Sequence, residues 1–262
     1  MLERMLKGAK GLVKSFLGAV TFYSTIPLPA HWNLPFEQIA RWGPLVGLLL
    51  GGLLAIVDWA LQHLGFPLLT RTVLIVALWV ILTGGLHLDG VMDAADGLAV
   101  TERQRRLEVM KDSSTGAFGV MAATLLLLLK TAALNDLKGN RWLGLMAAAG
   151  WGRWGQVMAI ALYPYLKATG KGAFHKQGIC LPQDILVGLG FLLALSGVQF
   201  WLQPHRGWLA LEIVLAGSTI ALGVGFWFYR QLGGHTGDTY GAVVEWSEAL
   251  ILCLCTLIFN RA

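Results

Sequence analysis

Apolar residues run along this chain in long blocks separated by short polar, glycine-bearing segments. Seven blocks, near 42–62, 68–86, 117–135, 142–162, 183–202, 208–229 and 243–259, approach the ~20 residues that a helix needs to cross a bilayer. Residues 2–20 follow a different pattern. Leu2, Met5, Leu6, Ala9, Leu12, Val13, Phe16 and Leu17 recur at helical spacing, with Arg4, Lys7, Lys10 and Lys14 mostly between them. That pattern predicts a basic amphipathic helix over residues 1–25, lying on an anionic membrane surface. No small-residue cleavage site follows a long apolar core, which argues against a signal peptide. Pro27, Pro29 and Pro35 break any helix before the first block. The expected fold is all-α: a polytopic membrane bundle of about seven transmembrane helices, forming a single membrane-embedded domain over 1–262.

Composition supports this reading. Hydrophobic residues make up 56% of the 262 and charged ones only 13%, against roughly a quarter charged in soluble domains. No separate soluble domain is left over. Many of the 33 glycines lie inside apolar blocks; Gly43, Gly47 and Gly51, at every fourth residue, predict a helix-packing face. Cys180, Cys253 and Cys255 suggest no disulfide framework. The net charge of +5 needs no nucleic-acid partner, but its distribution orients the chain. Thirteen Lys and Arg fall on segments sharing the side of the N-terminus and five on the other. The positive-inside rule therefore places the N-terminus in the cytoplasm of a bacterial cell. Lys130 and Arg153 remain inside blocks. The segments near 84–116, 163–182 and 230–248 then meet at the cytoplasmic face.

The first of these carries the most informative cluster, Gly84-Gly85-Leu86-His87-Leu88-Asp89-Gly90-Val91-Met92-Asp93-Ala94-Ala95-Asp96-Gly97. Three carboxylates this close raise one another's pKa unless a cation neutralises them, and a divalent metal beside a membrane suggests phosphoryl chemistry. On a helix over 88–98, Asp89, Asp93 and Asp96 share one face within roughly 60° and about 10 Å. That reach suits two ions, or one ion and a separate base. His87 is a possible ligand or an interfacial hydrogen-bonding group. Further on, Arg103, Arg105, Arg106 and Lys111 suit a polyanionic substrate, although Asp112, beside Ser113, Ser114, Thr115 and Gly116, is the better site candidate. Gly233-Gly234-His235-Thr236-Gly237-Asp238-Thr239-Tyr240-Gly241-Ala242 offers glycines and hydroxyls to phosphate. Gly234 and Thr236 are candidate substrate contacts there. Asp238 and Glu245 provide a second source of metal ligands or a general base, and Glu248 reads equally as an interfacial charge. Arg153 inside its block suggests pairing with an acid or a phosphate. Lys130, nearer the outer end of its block, is read as snorkelling. The eleven tryptophans read as an interfacial belt.

These motifs together resemble the cobalamin synthase (adenosylcobinamide-GDP ribazoletransferase) family. The resemblance rests on Gly-Gly-Leu-His-Leu-Asp-Gly-x-x-Asp-x-x-Asp-Gly at 84–97, Met-x-Asp-Ser at 110–113 with Gly116 and Gly119, and Gly-Gly-x-Thr-Gly-Asp-x-x-Gly-Ala-x-x-Glu at 233–245. It runs from the Pro27-x-Pro29 segment to Glu248. It implies a transferase of the cytoplasmic membrane that uses Mg²⁺. Adenosylcobinamide-GDP and α-ribazole, or its 5′-phosphate, would give adenosylcobalamin, or its 5′-phosphate, and GMP. Carried over, Asp89, Asp93 and Asp96 become the metal and diphosphate site, Asp238 and Glu245 its complement, and Arg153 an arginine of the fourth span. Where family members carry Thr-Arg before the proline pair and Asp-Ser-Arg in the middle motif, this chain has Ser24-Thr25 and Asp112-Ser113-Ser114. The 163–182 loop, with Lys167, Lys171, Phe174 and Lys176, is the expected corrinoid dock. A CDP-alcohol phosphotransferase would carry an arginine at residue 94 or 95, which this chain lacks. A cation-coupled transporter would place its acids near the bilayer midplane.

Overall fold

The computed structural model describes residues 2–112, 114–167 and 172–261, and shows helices without a strand among them. In chain order the helices are α1 (Leu2–Tyr23), α2 (Gly43–His63), α3 (Leu68–Leu82), α4 (Leu86–Ala99), α5 (Arg103–Val109), α6 (Ala117–Asp136), α7 (Arg141–Leu162), α8 (Ala173–Gly178), α9 (Gln183–Leu202), α10 (Trp208–Leu232) and α11 (Gly237–Asn260). A helix lies at each of the seven apolar blocks, but the expected seven spans are not all alike. Among the described residues five helices are long and apolar enough to cross a membrane, or six if α3 and α4 count as one bent span. The 15 residues of α3 cover about 22 Å at ~1.5 Å per residue, short of the ~30 Å hydrocarbon core.

Helix α7 is the axle of the bundle, packed by α2, α9, α10 and α11 and buried on all sides from Leu143 to Ala161. Its middle, Gly150-Trp151-Gly152-Arg153-Trp154-Gly155-Gln156, is too polar for a lipid-facing helix; neighbours, not lipid, surround it. The predicted glycine face of α2 meets it. A side chain on Gly47 would collide with the Ala149 carbonyl, and one on Gly51 with Met146 and the Leu145 carbonyl. Small residues thus let the backbones close up where no hydrophobic driving force exists between apolar helices.

Between α3 and α4 the chain turns through 88°. Gly84 and Gly85 make the corner with φ of +63° and +69°, the left-handed region that glycine enters without steric cost. Thr25 ties down the end of α3: its N–H donates to the Leu82 carbonyl at 2.8 Å and its hydroxyl to the Ile81 carbonyl at 3.0 Å. The predicted helix over 88–98 is therefore real, and it runs across the bundle rather than along it.

Two buried ion networks clamp the bundle. Lys130 does not snorkel. Its ammonium lies 2.6 Å from Glu245 and 2.5 Å from Glu248, 4.6 Å above the Trp79 ring, with all three charged side chains at most 3% exposed. Joining α6 to α11 needs a charge because α11 turns two acids inward, three residues apart on one face. At the other end of the molecule, Asp58 accepts from Arg141 Nε and Nη2, each at 2.8 Å, and pairs with Arg71 at 3.0 Å. This joins α2, α3 and α7.

Removing one partner of a buried ion group strands the others. Lys130→Met is expected to destabilise the protein by about 3–5 kcal/mol, and adding Glu245→Gln and Glu248→Gln to recover most of that loss. Thermal unfolding in detergent, compared across the three proteins, reads the difference.

Candidate active site

The acidic helix α4 crosses the first turn of α11 at glycines. A side chain on Gly90 would run into the backbone of Asp238, and one on Gly241 would press on the backbone of His87. The crossing places Asp89 and Asp238 on the wall of a cavity of about 100 Å³, lined also by His87, Gln156, Gly172, His175 and Tyr240. The loop after α7 closes one side. His235 N–H donates to the Pro164 carbonyl at 2.9 Å, and Leu166 N–H to the His235 carbonyl at 2.8 Å. This short pairing brings Lys167 to Asp238 at 2.8 Å.

The acids differ in their surroundings. Asp89 is exposed at the rim. Asp238 holds Lys167 and accepts from the Thr236 hydroxyl at 3.1 Å. Asp93 is pushed up to about 6 by partial burial, then by the charges of Asp89, Asp238 and Asp96, with Lys167 opposing. Asp96 has a further task. Its carboxylate accepts from Gly116 N–H at 2.7 Å and Gly119 N–H at 2.8 Å, capping the start of α6. Side chains at those two glycines would collide with it.

The other expected site residues fall in several places. His87 is buried in the cavity wall. Arg153 is fully buried, with its guanidinium 5.4 Å from the Tyr23 ring and Nη2 3.5 Å from the Tyr23 carbonyl. Glu245 belongs to the Lys130 network, about 10 Å along α11 from Asp238, and is not among the residues lining the cavity. Gly234 packs against Pro164 and Leu166. Thr236 caps α11, its hydroxyl accepting from Thr239 N–H while Thr239 Oγ1 accepts from Thr236 N–H. The N–H groups of His235, Thr236 and Thr239 are thus taken up within this loop. Asp112 is exposed and accepts from Ser114 N–H at 2.9 Å in a local turn. Arg106 spans from α5 to the carbonyls of Val100 and Gln231. Ser113 and Lys171 lie outside the described residues.

The sequence reading passed over Gln156, His175 and Tyr240. Gln156, a polar side chain within an apolar block like Arg153, was the one with a visible signal. Burial holds His175 down near 4 and, with Arg153 and Lys130, holds His87 well below the usual imidazole range, so both rings are neutral. Among the described residues no three Asp, Glu, His or Cys side chains converge closely enough to hold an ion as they stand. What the rim offers is a set of hard carboxylate oxygens in excess of their cations. Mg²⁺ characteristically binds through one or two carboxylates, waters and substrate phosphates, so this donor set fits it.

The family model described as Cobalamin-5-phosphate synthase matches residues 15–256. The chain belongs to the cobalamin-5-phosphate synthase family. A relative from Trichormus variabilis, named adenosylcobinamide-GDP ribazoletransferase, is 55% identical over 95% of this chain and 99% of its own. Similar proteins of the same name from Synechocystis and Synechococcus elongatus are each 50% identical, over 92% and 89% of this chain and 93% and 92% of theirs. No solved structure matches. In this cobalamin-5-phosphate synthase family member all three motifs singled out in the sequence fall within the matched range.

Asp93 also carries a stability signature. Its folded-state value of about 6 exceeds the ordinary 3.8, so ionising it opposes folding: the penalty is absent below 3.8 and complete above about 6. Asp93→Asn is expected to melt higher than the parent above pH 6 in metal-free buffer, with the advantage fading as pH falls towards about 4. Melting curves across that range test it; a constant offset would mean that neither burial nor the neighbouring acids raise Asp93.

Proposed function

We propose that this protein joins adenosylcobinamide-GDP to α-ribazole, or to α-ribazole 5′-phosphate, releasing GMP and forming adenosylcobalamin or its 5′-phosphate. Family membership across 15–256 and relatives of that name at 50–55% identity over nearly full length support the reaction. The observation that carries the site is the crossing of α4 and α11, where carboxylates of the two specific motifs line one cavity.

The chemistry asks for positioning and charge neutralisation more than covalent catalysis. A ribose hydroxyl of the acceptor attacks the phosphate bearing the cobinamide arm. An O–P bond forms there, the bond to the GMP oxygen breaks, and GMP leaves with the electron pair. A rim carboxylate, Asp89 or Asp238, takes the hydroxyl proton. Lys167, held at Asp238, lies where it can turn its charge to the diphosphate. Asp89 and Asp93, with Asp96 and Asp238 beside them, would hold Mg²⁺, which neutralises diphosphate charge when bound.

We place this end of the bundle at the cytoplasmic face of the bacterial cytoplasmic membrane. The six long helices α2, α6, α7, α9, α10 and α11 would cross, with α7 shielded from lipid by its neighbours; the shorter α3 would return the chain to the cytoplasmic side at its bend into α4, and α1 would lie on the surface. The basic residue excess on that side supports the orientation. Exposed Leu12 and Val13 on α1, 51% and 57% accessible, suit contact with the bilayer surface.

Purified protein in lipid, given adenosylcobinamide-GDP and α-ribazole, is expected to release GMP with Mg²⁺ and not without it. No release under any condition overturns the reaction. Asp89→Asn is expected to insert normally and lose at least about 100-fold in turnover, the usual worth of a positioned proton acceptor; full activity would remove Asp89 from the site.

A further inference from the structure

The floor of the cavity below Asp89 and Asp238 is chemically unlike its rim. Four side chains lining it, each at most 5% exposed, have polar atoms without a hydrogen-bond partner among the described residues: both ring nitrogens of His87, Gln156 Oε1, His175 Nδ1 and the Tyr240 hydroxyl. They come from α4, α7, α8 and α11, so no local motif accounts for their meeting. An unsatisfied buried polar group is destabilising, and natural proteins retain few of them. Four around one cavity equip it to hold a polar group that completes them.

The set is also informative about what binds. It holds two imidazoles, a phenol and an amide oxygen, which offer both donors and acceptors. Among the described residues the floor is lined by uncharged polar groups and no Lys or Arg. A small group with several hydroxyls suits such a floor. Phe22 and Tyr240 add aromatic surface.

We infer that this cavity is the acceptor subsite, and that His87, Gln156, His175 and Tyr240 bind the ribose of the α-ribazole nucleoside through its hydroxyls. The diphosphate donor is then left to the acidic rim above. This assignment rests on the reaction proposed above and divides its two substrates between floor and rim. A ribose seated on the floor presents a hydroxyl towards Asp89 and Asp238, where the proton must go.

The test is equilibrium binding to the full-length protein in lipid, with α-ribazole alone and adenosylcobinamide-GDP alone, for the parent, Tyr240→Phe and Gln156→Leu. Steady-state KM and kcat are measured on the same proteins. Each variant is expected to weaken α-ribazole binding and raise its KM about five- to tenfold, as loss of one hydrogen bond does. The donor's affinity should stay within about twofold. Tyr240→Phe should also melt no lower than the parent, because its hydroxyl gives up no bond within the protein. Weakened donor binding with unchanged α-ribazole binding would assign the floor to the donor and overturn the inference; so would no change in either. Parent protein that releases GMP while the variants keep the parental α-ribazole KM would sink the subsite and leave the reaction standing. Parent protein that binds α-ribazole, loses that binding in both variants, yet never releases GMP would sink the reaction and leave the subsite standing.

Discussion

Two helices approach only as closely as their backbones permit, and the site depends on one such approach, that of α4 over the first turn of α11. Gly90 and Gly241 each face backbone of the opposite helix. A side chain at either would push the helices apart and carry Asp89 away from Asp238. The corner that sets α4 across the bundle is a second backbone constraint, made by Gly84 and Gly85 with positive φ. The glycines of the two motifs therefore act as geometry, while the aspartates between them act as chemistry.

Charge balance separates the structural ion groups from the functional one. Lys130 with Glu245 and Glu248, and Asp58 with Arg71 and Arg141, are closed networks: each charge faces an opposite one. At the rim, Asp93 feels three other carboxylates and the single ammonium of Lys167. Backbone N–H groups satisfy Asp96, but nothing equivalent serves Asp89 or Asp93 among the described residues. A surplus of negative charge on a folded protein opposes its own stability. Its retention at one cavity mouth is what marks that mouth for a cationic or cation-carrying ligand.

The sequence showed the helices well because apolar blocks of span length have few alternatives. It showed the acidic face of α4 because three aspartates at helical spacing have few structural uses. It misread Lys130, and did not show its pairing with Glu245, for one reason. Both belong to a contact between residues 115 apart in the chain, and periodicity reports which face a residue occupies, not which helix it meets. The shared face of Gly241, Glu245 and Glu248 is real, yet it divides along its length: Gly241 serves the site and the two glutamates serve the bundle. Asp96 escaped for a similar reason, although Gly116 and Gly119, in the middle motif, are the residues that its carboxylate binds. The cavity floor was the least legible part, since its polar groups come from four helices and only their convergence gives them meaning.

That convergence bears on why α7 lies at the centre. Polar residues inside a bilayer are costly unless they face a bundle interior. Arg153 and Gln156 ride on the helix that its neighbours wrap most completely, so lipid meets the apolar outer faces of α2, α6, α9 and α10 instead. The outer helices thus do more than anchor the protein. By burying α7, they allow a sheltered polar floor to exist beside a strongly acidic rim. A site that must hold a hydroxyl-bearing acceptor under a diphosphate needs both environments within a few ångströms.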